Sequence, residues 1–219
     1  MLLRYYYYVS TTKVRMLSDQ MVSRRPVKRS TEAGFSVKLF SAKRTVETAD
    51  DTEASLLDRV IEQLHVDGEI GTVADPAGYF HGQGLMRWNV IGTPETGLAA
   101  VFAGEIEGTT VVLGGSDRHL LSAPGSDEQS LPSSSLPPVL LDRLETMSAL
   151  EDERTRGLID DVAGSGSEAE TVFRAAEALD GPQQPLEFTA TTLHEGHVTV
   201  DGRTRRVLLG SPLYVALRR

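Results

Sequence analysis

Cysteine is missing from all 219 residues. That excludes disulfides, thiolate catalysis and every zinc site built on sulfur. Long apolar runs are missing too: no stretch approaches the roughly 20 residues that a membrane helix requires. The opening Met1-Leu2-Leu3-Arg4, followed by four tyrosines, has neither the apolar centre nor the small-residue cleavage site of a signal peptide, so residence in the cytoplasm is expected. Lysine is scarce. Lys13, Lys28, Lys38 and Lys43 are all there are, and every later cation is arginine, a coding bias typical of GC-rich genomes.

Charge is divided unevenly. Residues 1–50 hold ten Lys and Arg against four Asp and Glu, whereas the remainder holds 12 against 27, and the chain as a whole carries −9. A basic head on an acidic body can attract nucleic acid or an anionic surface. The overall negative charge repels phosphate backbones, however, so the two parts are expected to attract one another within the fold or across a homo-oligomer. Neither nucleic acid nor a membrane is the expected partner.

What the chain does hold is an echo. Val111-Val112-Leu113-Gly114-Gly115-Ser116, running on to His119-Leu120-Leu121, returns as Val207-Leu208-Leu209-Gly210-Ser211, running on to Val215-Ala216-Leu217. A looser third version is Tyr5 to Val9 followed by Ser10-Thr11-Thr12-Lys13. Each reads as a buried strand that breaks at small residues. Three such strand ends can share one rim.

The coarse order is strand, helix, strand, helix, three strands, two helices, two strands. The tyrosines of residues 2–9 suit a pleated surface. Ser10 or Thr11 can cap a helix carrying Val14, Leu17 and Met21. Gly34 to Phe40 alternates like a half-buried strand. From Asp51 or Thr52, the stripe Leu56, Leu57, Val60, Ile61 and Leu64 makes a helix that Gly68 stops. Strands near 79–92, 97–105 and 109–114 follow, with turns at 92–97 and at Glu107-Gly108. Val139, Leu140, Leu144 and Met147 mark a helix that Leu150 extends towards Ile159. Ser167 with Glu170 is a capping box for the next one, ended by Gly181-Pro182. Two strands at about 185–193 and 204–210 flank a hairpin from His194 to Gly202.

Helices interspersed with antiparallel hairpins predict an α+β fold: a mixed, largely antiparallel sheet with helices packed mainly on one face. One domain over 1–219, with a mobile Ser/Pro-rich loop at about 122–138, is expected; the alternative is two lobes, 1–121 and 139–219. A lobe with only two strands would have a meagre sheet.

Chemistry is less legible. Ser116, Asp117 and His119 invite a hydrolase or lyase reading, with His119 or His81 as base. A nucleophile and its base must approach from different directions, and no G-x-S-x-G elbow is present. His194-Glu195-Gly196-His197 has neither helical spacing nor a nearby third ligand, so no metal is expected there. Phosphate-loop signatures are absent, and no cofactor is implied. Trp88 and Arg87, with Phe80 and Phe102, can stack a planar ligand or simply fill a core.

The remaining pattern is a set of hydroxyls and backbone amides at strand ends: Ser10, Thr11, Gly114, Gly115, Ser116, Gly210 and Ser211, with Lys13, Arg15 or Arg118 supplying charge and His119 alongside. Capping alone would also explain these residues. The leading expectation is a non-catalytic ligand-binding or regulatory module for a small anionic or nucleotide-like molecule. A hydrolase or lyase and a protein-interaction component are the alternatives.

Three segments carry a resemblance: Tyr8-Val9-Ser10 with Lys13-Val14, Met16-Leu17 and Gln20; Leu113 to Ser116 with His119; and Leu208 to Leu217. Together they resemble an uncharacterised family of small actinomycete proteins, a domain of unknown function. The resemblance implies only that the three segments belong to one fold.

Overall fold

The computed structural model describes residues 4–24, 52–93, 97–121, 138–146 and 167–218. The expected strand at 34–40, the helical extension from Leu150 to Ile159 and the Ser/Pro-rich loop as far as residue 137 lie outside these residues. In chain order the elements are β1 (Tyr5–Val9), α1 (Thr11–Arg24), α2 (Glu53–Val66), β2 (Ile70–Thr72), β3 (Tyr79–Thr93), β4 (Gly97–Ile106) and β5 (Thr109–Ser116). A 3-10 turn at Asp117–His119 follows, then α3 (138–146), α4 (Glu168–Ala178), β6 (Gln184–Val200) and β7 (Arg203–Leu217).

Local chemistry sets the boundaries. Thr52 Oγ1 accepts from the Ser55 amide at 3.4 Å and starts α2, whose Leu57, Val60 and Leu64 are buried. Ser167 Oγ accepts from the Glu170 amide at 3.3 Å and starts α4. Both tight hairpins turn on a pair of residues with positive φ: Glu107 and Gly108 at 51° and 74°, Asp201 and Gly202 at 52° and 72°. This is the backbone hand that matches strand twist, and glycine at the second position lowers its cost.

The sheet is not open. β3 pairs with β4, β4 with β5, β5 with β7, β7 with β6, and β6 returns to β3. Four of these contacts are antiparallel and β5–β7 is parallel, so the five strands close into a barrel. β1 and β2 are additions, β1 antiparallel to β7 and β2 parallel to β3. The expectation of a mixed, mainly antiparallel sheet with helices therefore stands, but the picture of helices on one face is corrected. A closed ring has an inside, and here Phe80, Met86, Phe102, Leu113, Leu186, Phe188, Leu208 and Val215 fill it, all buried. Each such side chain contributes roughly 1.5–3 kcal/mol by leaving water.

The helices instead cover separate outer patches. α3 and α4 lay Leu140, Leu144, Val172 and Phe173 with Val101, Val112, Val207 and Leu209. α1 and α2 lay Val14, Leu57, Val60 and Leu64 with Leu213, Tyr214 and Ala216. Among the described residues no helix is long and apolar enough to cross a membrane.

Closure depends on strand length. β6 and β7 have 17 and 15 residues, far more than the two short strands expected. Gly210-Ser211-Pro212 does not end β7; the register with β6 shifts between Thr189 and Ala190, where Ala190 faces Pro212. A bulge thus absorbs the proline, which has no amide to donate to the ladder. The strand continues, and one of its edges serves two partners: β5 along Arg206–Gly210 and β1 along Tyr214–Leu217.

Candidate functional site

α1 opens directly off β1. The Ser10 amide donates to Leu213 O at 2.8 Å, tying this junction to β7, and Ser10 O accepts from the Val14 amide at 3.0 Å. The first amides of a helix have no intrahelical acceptor, and they give its start a partial positive charge. α1 carries no acidic residue in its first turn. It carries Lys13, whose side chain leans back towards the helix start, as helical geometry requires.

The Lys13 ammonium donates to Ser211 Oγ. Ser211 Oγ in turn donates to Gly114 O at 3.1 Å. The segments expected to share a rim are therefore brought together: Ser10 and Lys13 from the β1–α1 junction, Gly114 from β5 and Ser211 from β7. Two details differ from expectation. Ser211 lies at the bulge within β7 rather than at a strand end. Ser10 and Ser211 are only 2% and 1% exposed, with Gly114 and Gly115 also buried, so these residues form a floor and not a rim.

Thr11, Lys13, Ser116 and His119 are half-buried and face solvent in part. Gly210 belongs elsewhere. A β-carbon on it would meet Phe80 at 2.7 Å, which makes it an interior packing position rather than a binding residue.

Burial lowers the Lys13 amine to about 8. Among the described residues, no carboxylate is within ion-pairing distance of it. Burial also lowers the His119 imidazole, and the charges of Lys13 and Arg118 lower it further, against the opposing pull of Glu53 and Asp117.

One residue that sequence reasoning missed stands beside them. Tyr8 is fully buried, its ring 5.6 Å from that of His119, and its hydroxyl has no hydrogen-bond partner. Burial keeps the hydroxyl protonated to unusually high pH, and the nearby Ser10 hydroxyl opposes that shift without making a hydrogen bond of good geometry. The hydroxyl rests against Gly115, where an added β-carbon would approach it to 2.2 Å. The tyrosine run gave no signal that Tyr8 differs from its neighbours.

The residues of the hydrolase reading are not assembled. Ser116 Oγ donates to Asp117 Oδ1 at 3.5 Å, and among the described residues it makes no hydrogen bond with either histidine. His81 lies with another set, its Nδ1 3.3 Å from Thr189 Oγ1. Burial lowers its ionisation, with His65 and Arg4 acting in the same direction and Glu187 against them. His194 and His197 are strand residues of β6, and His194 Nδ1 sits 3.0 Å from Glu168 Oε2 at the start of α4. Trp88 and Phe102 stack on one another at 6.0 Å, with Phe102 fully buried.

No curated protein and no solved structure matches the chain. Residues 4–219 match a family of unknown function, DUF7019, so the β1–α1 junction, the Gly114 strand and the bulged β7 all fall within it. The chain belongs to that family.

Proposed function

We propose that the protein binds a small anionic ligand at the first turn of α1. Lys13 supplies the charge, the free amides of the turn supply donors, and Ser116 and His119 border the entrance. One observation carries this reading: a partly desolvated lysine, anchored on a serine hydroxyl and, among the described residues, without a carboxylate in ion-pairing reach, sits at a helix start whose own first turn holds no acidic residue. Two positive features in one place favour an anion. The Tyr8 hydroxyl, buried beside Gly115 and without a hydrogen-bond partner of good geometry, adds a donor whose desolvation only the nearby Ser10 hydroxyl opposes.

Thermal unfolding with inorganic phosphate, nucleoside monophosphates and small carboxylates tests the reading, because a ligand that prefers the native state raises Tm. At least one of these anions is expected to raise Tm in the wild-type protein, with the rise abolished in Lys13→Met. The absence of any shift at millimolar concentrations of all three classes would refute it. Backbone NMR gives a second readout, since the amides of Thr11, Lys13 and Ser116 should move first.

A further inference from the structure

Anion binding leaves one property of the cluster unused. A lysine that only holds an anion needs to keep its proton, whereas Lys13 gives its proton up more readily than an ordinary lysine. Its amine is taken largely out of water and is given a neutral hydroxyl rather than a carboxylate as partner. That hydroxyl is already committed: Ser211 donates its proton to Gly114 O, so it can only accept from Lys13. The amine is thus oriented without being locked into its charged form. The charge of Lys13 is felt at the His119 ring, which burial already holds towards its neutral form.

We infer that Lys13 is a nucleophilic amine that captures small carbonyl compounds, oxo acids foremost, as an imine. The preference for oxo acids rests on the anion site proposed above; the capture itself does not. Desolvation and neighbouring positive charge are the two means by which a lysine side chain becomes a nucleophile near neutral pH. Lys13 has the first. With its amine near 8, about a tenth of the side chains carry a free lone pair at pH 7. An ordinary lysine offers on the order of a thousandth or less.

The chemistry needs no other reagent. The Nζ lone pair adds to the carbonyl carbon, forming the C–N bond. The carbonyl oxygen then leaves as water, taking the two protons that the amine gives up. No oxidation occurs, and the reverse reaction with water releases the carbonyl compound. Lys13 as a residue is half-buried rather than sealed. In an oxo acid, the carboxylate would lie at the amides of the α1 turn while the adjacent carbonyl faces Nζ.

The test uses the wild-type chain at pH 7 with limiting glyoxylate or, separately, propanal, each with cyanoborohydride to fix the imine. Adducts are mapped by peptide mass spectrometry. Four lysines make the map short. Lys13 is expected to carry at least about tenfold more adduct than Lys28, Lys38 or Lys43, a conservative fraction of the difference in free amine. Glyoxylate should modify it faster than propanal. Comparable labelling of all four lysines would overturn the inference, and that map requires no variant to fold. Lys13→Arg should remove the dominant adduct. Inorganic phosphate separates the two readings. If phosphate neither binds nor protects while Lys13 still leads, anion binding fails and carbonyl capture stands. If phosphate binds but labelling is unselective, carbonyl capture fails and anion binding stands.

Discussion

The side chains of Lys13 and Ser211, 198 positions apart in the sequence, are joined by a direct hydrogen bond. Through Ser211 the bond continues to Gly114 O, so a helix start, a mid-barrel strand and the bulged strand are fastened at one point. Ser211→Ala removes both links and leaves Gly114 O and the Lys13 amine short of partners. A loss of about 1–3 kcal/mol is expected, the usual cost of stranding buried polar groups. Urea unfolding measures it, and an unchanged midpoint would show that the fastening carries no weight.

Lys13 should also write a slope into the pH dependence of stability. Its amine titrates near 8 in the folded protein, below the ordinary lysine value of 10.5. Between those values the unfolded chain binds more protons than the native one, so stability rises with pH across this window. The penalty is complete below about pH 8 and gone above the ordinary value. Lys13→Met should flatten the slope and gain about 1–3 kcal/mol at pH 7, the electrostatic relief less one hydrogen bond. Parallel urea midpoints for the two proteins from pH 7 to 10 would show that the amine is not desolvated as described.

Tyr8 and Gly115 should be coupled. Tyr8→Phe discards a hydroxyl without a partner, so stability is expected to hold or to rise by up to about 1 kcal/mol. The same change should weaken any anion-induced rise in Tm. Gly115→Ala forces a methyl group to 2.2 Å from that hydroxyl and should cost about 1–3 kcal/mol. The double variant should recover part of that loss, with an interaction energy of at least about 0.5 kcal/mol. Strict additivity would place the two residues apart.

At the start of α2, hydrogen bonding should outweigh surface charge. Thr52→Ala deletes the acceptor for the Ser55 amide and should cost about 1 kcal/mol. Arg15→Ala breaks a 3.0 Å pair with Glu53, but both side chains are more than half exposed, and less than about 1 kcal/mol is expected. Circular dichroism melts of the two variants should differ in that order.

Much of the fold was legible because it is decided locally. The strands from Tyr79 to Ser116, the Glu107-Gly108 turn, the stripe of α2 and the Ser167 cap each follow from a few neighbouring residues. Barrel closure was not legible. Gly210-Ser211-Pro212 has the composition of a strand breaker, and only the geometry of β6 shows that a bulge carries the strand through. The site divides similarly. The repeated pattern of strand and small residues drew attention to the segments at Ser10, Gly114 and Ser211, and Lys13, Ser211 and Gly114 are hydrogen-bonded in the structure. Tyr8 stayed hidden because a tyrosine in a strand has the same local signature whichever side it faces. His81 and Ser116, linked in the sequence by chemical type alone, keep different company in space.

The placement of β7 has a bearing on biosynthesis. β1, β5 and β6 all pair with it, and it is made after every one of them. While the ribosome is still adding residues up to 203, β5 and β1 each lack the neighbour that satisfies one flank. Those open ladders can recruit a strand from another nascent chain. Contacts spanning most of the polypeptide are also slow to form. The fifteen-residue β7 thus acts as a clasp on the strands made before it.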